Sequence, residues 1–437
     1  MAWLKKNLRW LVCALLFLGT TVNYIDRQVL GLLKSTLQDQ FHFDERQYAA
    51  IVFSFQLAYA LGLFFSGRFI DRVGTRLGLA LAVGVWSAAA VAHAAAALFP
   101  GLSLPSLILS PPSVVLLTGA VAGLALARFL LGLAEAANFP ASIKTVAEWF
   151  PKRERALATG IFNSGSNVGA LVTPLVVPWL VLHWGWQGAF IATGLVGFAW
   201  LALWLPFYRA PKEHPGLSRA ELKLILSDPP EKVPRPGGPS LARHPMALAF
   251  ALGKFLTDPV WWVFLFWIPD FLKRQHQLEL PSMGAPIVAI YLAADAGSIG
   301  GGWLSSRLIK AGFKPLKARL SAMLACALAV TPIVLAAGGL GLWPSVALIA
   351  LAAAAHQGWS ANLFTLVSDH FPRAKVATVT GAGGMAGAIG GMFIALAVGE
   401  VLQRTGSYAL IFAFAASAYL VAWACIALLS RVKAARA

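Results

Sequence analysis

Apolar residues fall in long unbroken runs along this chain, and charges collect between them. The runs lie at about 8–33, 47–67, 77–99, 113–146, 156–181 and 187–208, then at about 245–272, 284–309, 318–338, 343–369, 376–402 and 407–430. Each approaches or exceeds the roughly 20 apolar residues that cross a bilayer as a helix. Nothing alternates with a period of two over ten-residue segments, which excludes a membrane β-barrel. The pattern predicts an all-α membrane protein with twelve transmembrane helices in two bundles of six, 1–208 and 245–437. Between them, 209–244 is a linker rich in proline and charge. Pro229, Pro230, Pro234, Pro236 and Pro239 rule out a further span there, while 218–227 has the makings of a short surface helix.

Composition strengthens this picture. Of 437 residues 58% are hydrophobic and 12% charged, against about 25% charged in soluble domains, and the mean hydropathy is +0.71. A net charge of +17 in a soluble chain would point to nucleic acid. Here the charges sort by loop. Five of the 35 Lys and Arg (Lys34, Arg46, Lys273, Arg274, Arg404) fall on one side and four (Arg27, Arg128, Lys144, Lys254) within helices, leaving 26 at the termini and in loops on the other side. That asymmetry predicts cytoplasmic termini and makes the basicity a matter of topology, with no nucleic-acid partner. Cys13, Cys326 and Cys425 sit in apolar runs without paired spacing and read as packing residues. Lys5, Lys6 and Arg9 before an apolar run imitate a signal peptide. The run is too long and lacks a small-residue cleavage site, so it is expected to stay as the first helix.

The two bundles share a weak internal repeat. Phe150-Pro151-Lys152-Arg153 through Thr159-Gly160 matches Phe371-Pro372-Arg373 through Thr380-Gly381 at an offset of 221, and the same offset sets Glu135 opposite His356. Parallel six-helix repeats are a building plan of secondary transporters.

Charges inside the runs are the candidates for chemistry, since each costs about 2.5–3.5 kcal/mol at a helix centre unless it faces a cavity or a partner. Asp26 and Arg27 lie in Asn23-Tyr24-Ile25-Asp26-Arg27, with Leu30, Leu32 and Leu33 beyond them. Arg27 offers a planar fork suited to a carboxylate. Arg128 and Glu135 are seven residues apart, two turns along one helix face, about 10.5 Å. A carboxyl in that setting can hold or release a proton, which proton coupling needs; the alternative is a structural carboxylate tied to Arg128. Lys254 and Asp258 stand at i and i+4 and can neutralise each other, with a gating or substrate role as the alternative. Asp295 has no partner the sequence can name. Gly381 to Gly391 opens a membrane helix and follows no strand, so it reads as close helix packing. No nucleotide, metal or nucleophile–base motif occurs, and no cofactor is expected beyond the coupling proton.

The loop Gly67-Arg68-Phe69-Ile70-Asp71-Arg72-Val73-Gly74-Thr75-Arg76 resembles the cytoplasmic loop motif of the major facilitator superfamily. The resemblance implies that Gly67, Asp71, Arg72, Gly74 and Arg76 act in gating on the inner face. More narrowly, nearly the whole chain resembles the anion:cation symporter family, especially its proton-coupled hexuronate carriers. Asn23 to Gln28, Glu135-Ala136-Ala137-Asn138-Phe139-Pro140, Phe162 to Asn167 and His356-Gln357-Gly358-Trp359-Ser360-Ala361-Asn362 carry it. The sugar-acid members have an Asp-Arg in helix one, a Tyr in helix two and Arg and Glu seven apart in helix four, matched here by Asp26-Arg27, Tyr59, and Arg128 with Glu135. Galactonate members have Gln where this chain has Ser166, which favours a uronate.

The expectation is a monomeric, multi-pass carrier of the bacterial inner membrane that imports a hexuronate such as glucuronate or galacturonate by proton symport. Its substrate would sit near the midplane between the halves. Glu135, Asp26 and Arg128 would couple protons. Arg27 would take the carboxylate, and Tyr24, Tyr59, Asn163, Ser166, His356, Gln357, Trp359, Ser360 and Asn362 would meet the hydroxyls and ring. The alternatives are a carrier for an aldonate or aldarate, a sugar-acid sensor that does not transport, and, least supported by the residues, a membrane enzyme. The Pro-rich outer stretch 99–112 is expected to be a disordered or lipid-skimming turn.

Overall fold

The computed structural model describes residues 7–107, 114–227, 244–371 and 373–434. The centre of the linker, part of the Pro-rich outer stretch and Pro372 lie outside the described residues. The described chain is helical almost throughout. In order, the helices are α1 (Leu8–Phe41), α2 (Glu45–Val73), α3 (Thr75–Ala92), α4 (Gly119–Glu135), α5 (Asn138–Trp149), α6 (Lys152–Phe207), α7 (Arg219–Ile225), α8 (Pro245–His276), α9 (Gly284–Lys310), α10 (Pro315–Val330), α11 (Leu342–His370), α12 (Arg373–Thr405) and α13 (Ala409–Ala434). Among the described residues, ten helices qualify as membrane spans by length and apolarity. One of them, Ala158–Phe207, has 50 residues, about 75 Å of helix against a hydrocarbon core of about 30 Å. Helical geometry breaks inside it at Gly185 (φ 68°), so it supplies two spans. The 29-residue α11 supplies the twelfth.

Two breaks in the apolar pattern were not visible in it. After α3, β1 (Ser103–Leu107) lies where a turn was expected and pairs with β2 (Val114–Thr118), which takes the first residues of the expected 113–146 helix, so that helix begins only at Gly119. The run 113–146 is interrupted at Ala136-Ala137, between α4 and α5. Pro140 accounts for the interruption, because it lacks an N–H and its ring crowds the carbonyl four residues back, that of Ala136.

The described chain divides into two compact units. The first takes residues 7–30, 57–104 and 116–227; the second takes 31–56, 105–107, 114–115 and the described residues from 244 onward. Within the first, α3 packs on α4 and α6. Its indoles anchor to backbone, with Trp200 donating to the Leu15 carbonyl (2.7 Å) and Trp204 to that of Arg76 (3.0 Å). The surface helix α7 is capped by Ser218, which accepts from the Glu221 N–H. Glu221 also accepts from the N–H groups of Leu8 and Arg9, an anion placed at the positive end of α1. Arg9 completes the anchor with Glu221 and Glu154, each at 2.9 Å.

In the second unit α9 lies on α11, α12 on α8. Small residues bring these helices together, as in other membrane bundles. A Cβ at Gly383, Gly387 or Gly390 would meet atoms of Phe250, Asp258 or Phe255 on α8 at 2.1–2.3 Å. A Cβ at Gly301 would lie 2.3 Å from the Gly358 Cα, so α9 and α11 touch backbone to backbone there. Gly301→Val is therefore expected to force the two apart, costing about 1–3 kcal/mol or more by overpacking. A lowered melting temperature in detergent would bear this out, and an unchanged one would refute it.

Candidate functional site

In the first unit four buried ionisable side chains from two helices come together, Asp26 and Arg27 on α1 and Arg128 and Glu135 on α4. On α1, the Arg27 guanidinium is 3% exposed and meets Glu135 at the last residue of α4, with Nη2 and Nε at 2.8 and 2.9 Å from Oε2. Nη2 also donates to Asn23 Oδ1 at 3.0 Å. The rings of Tyr24 and Tyr59 each lie 4.8 Å from the Arg27 Cζ, so the cation faces two aromatic rings. Arg128, fully buried two turns before Glu135, donates to the backbone carbonyl of Arg27 at 3.3 Å. Asp26 is 2% exposed, and neither of its oxygens meets hydrogen-bonding geometry among the described residues; the Thr193 hydroxyl of α6 lies beside it.

Glu135 is the last regular residue of α4, and the chain passes through Ala136 and Ala137, both still in the right-handed helical region, into α5, where the Asn138 amide donates to Thr20 on α1 at 3.3 Å. Helical spacing related Glu135 only to Arg128. The partner that holds it is Arg27, 108 positions away, and no local pattern carries that. Thr193 and Thr20 also went unread, because a lone threonine in an apolar helix carries no signal.

The remaining candidates distribute unevenly. Asn163 is exposed, and Ser166 spends its hydroxyl on the Asn163 carbonyl at 2.7 Å. In the second unit His356 Nδ1 lies 2.6 Å from the Tyr419 hydroxyl, and its ring stacks on Trp261 at 5.0 Å. Gln357 and Ser360 are half-buried. Trp359 and Asn362 are wholly buried. The Asn362 amide donates at 2.9 Å to the carbonyls of both Gly301 and Gly358, and Trp359 sits edge-on to Tyr419. Both are used in holding α11 within its unit.

Lys254 and Asp258 form the expected intrahelical pair at 2.7 Å, with the ammonium over the Phe364 ring at 4.7 Å. Asp295, which the sequence left without a named partner, is half-buried and has one. Lys34 departs from its expected place in an outer loop: α1 continues to Phe41, and Lys34 is buried within it at 1% exposure.

At the far end of α2, Asp71 pairs with Lys144 of α5 at 2.8 Å, while the Lys144 ammonium also meets the Ile70 carbonyl. Gly74 (φ 85°) makes the one-residue turn between α2 and α3, in a conformation that side chains resist. Glu148 accepts from Thr75 (2.9 Å) and Tyr208 (2.6 Å), and Arg76 donates to the Leu205 carbonyl. Arg72 and Gly67 are exposed.

The family model of the Major Facilitator Superfamily matches residues 16–395. The chain belongs to this superfamily. It is 31% identical over 418 residues to the hexuronate transporter of Escherichia coli (strain K12), covering 92% of this chain and 89% of that protein. It is 32% identical over 304 residues to the galacturonate transporter of Dickeya chrysanthemi, covering 68% and 82%. The fold is similar to the crystal structure of a bacterial homologue of the human lysosomal transporter Spinster in an inward-facing, unoccupied conformation, with TM-score 0.71, 19% identity and 98% of each chain covered. The protein is thus a multi-pass membrane carrier of the secondary-transporter type, and not an enzyme.

Breaking the Arg27–Glu135 pair on one side strands a buried charge. Arg27→Met alone is expected to cost about 3–5 kcal/mol of stability, whereas Arg27→Met with Glu135→Gln should recover much of that loss. Unfolding of the purified single and double variants checks it. Additive losses would show that the two side chains do not depend on each other.

Proposed function

We propose that this carrier imports a hexuronate together with protons, and that Arg27 is the group for which the substrate carboxylate and Glu135 compete. The observation that carries the reading is the buried guanidinium, paired with one carboxylate and faced by two tyrosine rings. A guanidinium binds carboxylates as a bidentate fork. When Glu135 is ionised it occupies that fork. When it takes a proton it loses most of its hold, and the fork turns to a carboxylate arriving with the sugar. Tyr24 and Tyr59 present ring faces to the sugar's apolar side and hydroxyls to its polyol edge. The hexuronate and galacturonate relatives support the substrate class, and their bacterial origin supports the inner membrane as its location.

Charge balance gives the coupling its sense. Asp26, Arg27, Arg128 and Glu135 sum to zero when all are ionised. A bound monoanion leaves one negative charge in excess in a low-dielectric setting, and one proton on Glu135 or Asp26 restores neutrality. Substrate and proton therefore favour each other's binding by linkage. An aldarate carries two carboxylates and would call for two protons by the same count. A sugar-acid panel in a thermal-shift assay separates uronate, aldonate and aldarate, since ligand binding raises apparent stability by mass action.

Glu135→Gln fixes the neutral form of that side chain. In proteoliposomes it is expected to keep exchange of labelled galacturonate but lose accumulation driven by a proton gradient. Accumulation at the wild-type level would move the coupling role to Asp26. Wild-type binding should also strengthen as pH falls through the range in which Glu135 takes its proton.

Asp71 belongs to a separate step in this reading, that of closing the face at the Gly67–Arg76 loop. Asp71→Asn removes the charge that Lys144 holds and is expected to slow exchange while leaving galacturonate binding measurable. An unchanged exchange rate would reduce the loop to a topological feature.

A further inference from the structure

At one end of the second unit, cations collect with no acids to meet them. Arg307 and Lys310 lie in the last turn of α9, Lys314 caps α10, and Lys317 lies in the first turn of α10. The connection between the helices is tight. The N–H groups of Ala311, Gly312 and Phe313 return to the carbonyls of Arg307, Ile309 and Leu308, which holds the two helix ends together. The sequence has no Asp or Glu between Asp295 and Asp369, and Asp369 takes Arg319 at 3.4 Å. Arg307, Lys310, Lys314 and Lys317 are exposed, and among the described residues none of them meets a carboxylate. The α2–α3 connection differs, since Arg68, Arg72 and Arg76 share that stretch with Asp71.

The faces that these cations continue fix their depth. On α9 the exposed residues Leu292, Ile299 and Trp303 are spaced by seven and four, which sets them on one face, and Arg307 and Lys310 follow Trp303 at four and seven. On α10 the exposed positions Leu328, Ala325 and Ser321 form a stripe that ends at Lys317. An exposed apolar face on a membrane span lies against lipid tails, so charges at its end stand at the level of the headgroups. The Trp303–Arg307 pair marks the same level. The indole is 58% exposed, and the Arg307 Cζ lies 5.2 Å from its ring centre, a cation held over an outward-facing aromatic ring. Phe313, in the connection itself, is exposed as well.

We propose that the α9–α10 turn binds the headgroup of an anionic phospholipid. Arg307, Lys310, Lys314 and Lys317 meet the phosphate, and Trp303 and Phe313 lie against the upper part of the acyl chains. Charge complementarity selects this occupant. Four cations unanswered within their own unit call for an anion from outside, and the lipid surface they border supplies phosphates at that depth. Arg307 offers a fork for two phosphate oxygens and the lysines add point charges. A general excess of positive charge on one side of a membrane protein spreads over many loops. Here the charges converge on one short turn flanked by lipid-facing residues. The inference does not depend on the identity of the transported substrate, because the candidate site belongs to the first unit.

The test is thermal unfolding of the whole carrier, purified in detergent and titrated with phosphatidylglycerol, phosphatidylcholine or inorganic phosphate. Phosphatidylglycerol is expected to raise the melting temperature to a plateau, and the other two to leave it unchanged. Two variants that lose the same charge are then compared. One carries Arg307→Gln, Lys310→Gln, Lys314→Gln and Lys317→Gln. The control carries Arg209→Gln, Lys212→Gln, Arg219→Gln and Lys223→Gln, which removes four exposed cations at the start of the linker. Each cation near an anionic membrane surface contributes roughly fivefold in affinity, so the turn variant is expected to bind phosphatidylglycerol at least about a hundredfold more weakly. The control is expected to bind like wild type. Lys314→Gln with Lys317→Gln, which leaves the Trp303–Arg307 stack intact, replaces the fourfold variant if that does not fold, with a loss of about twentyfold. Equal losses in turn variant and control, or no loss in a folded turn variant, overturn the site. An equal shift with inorganic phosphate, or with phosphatidylcholine, overturns the anionic lipid as its occupant.

Discussion

Everything distinctive about this chain follows from the cost of placing ionised groups in apolar surroundings. A lone charge in the membrane is expensive, so each has to be compensated by a partner, by water or by a proton. The Arg27–Glu135 pair is compensation by a partner, reinforced by Asn23 and two tyrosine rings. Asp26 is buried beside it, with neither oxygen in hydrogen-bonding geometry among the described residues. A site that leaves one oxygen of Glu135 and both oxygens of Asp26 without hydrogen-bonding geometry among the described residues is sensitive to any further anion. That sensitivity is the property on which the proposed coupling depends.

The backbone is arranged around the same constraint. Pro140 distorts the helix between α4 and α5 just after Glu135, while Ala136 and Ala137 keep right-handed helical dihedrals. Arg128 then stays on the same face and spends a hydrogen bond on the Arg27 carbonyl. Asn138, at the start of α5, reaches Thr20 on α1. The small-residue contacts of α9 with α11 and of α12 with α8 serve the other requirement, close packing without a hydrophobic drive between helices.

What the sequence disclosed and what it withheld divide along physical lines. Apolar runs report how much surface must avoid water, so the spans of α1, α2, α8 and α9 were legible within several residues. Short-range geometry was legible as well. The Lys254–Asp258 pair follows from i and i+4, and Ser218 with Glu221 marks the start of the linker helix. Contacts between distant segments were not. Arg27 meets Glu135 across 108 positions, and Lys34 meets Asp270 across more than two hundred. Boundaries drawn by hydropathy also mislead where a charge is buried with a partner, because the run seems to end at that charge. Lys34 was assigned to a loop for this reason. Strand β1 was missed because an apolar stretch with proline carries no period by which a strand can be told from a turn, and β2 because its unbroken apolar run reads on into the helix that follows.

The two charged networks differ in a way that bears on their roles. Around Arg27 and Glu135 the hydrogen bonds are incomplete, with Glu135 Oε1 and both Asp26 oxygens unsatisfied among the described residues. Around Lys34 the carboxylates of Glu45 and Asp270 each meet both Lys34 and Arg274, and Tyr408 and Gln38 add neutral contacts, one to each acid. Incomplete satisfaction in a buried site favours exchange of partners, since a newcomer can supply what is missing. Complete satisfaction favours a closed state that yields only when water replaces all the contacts together.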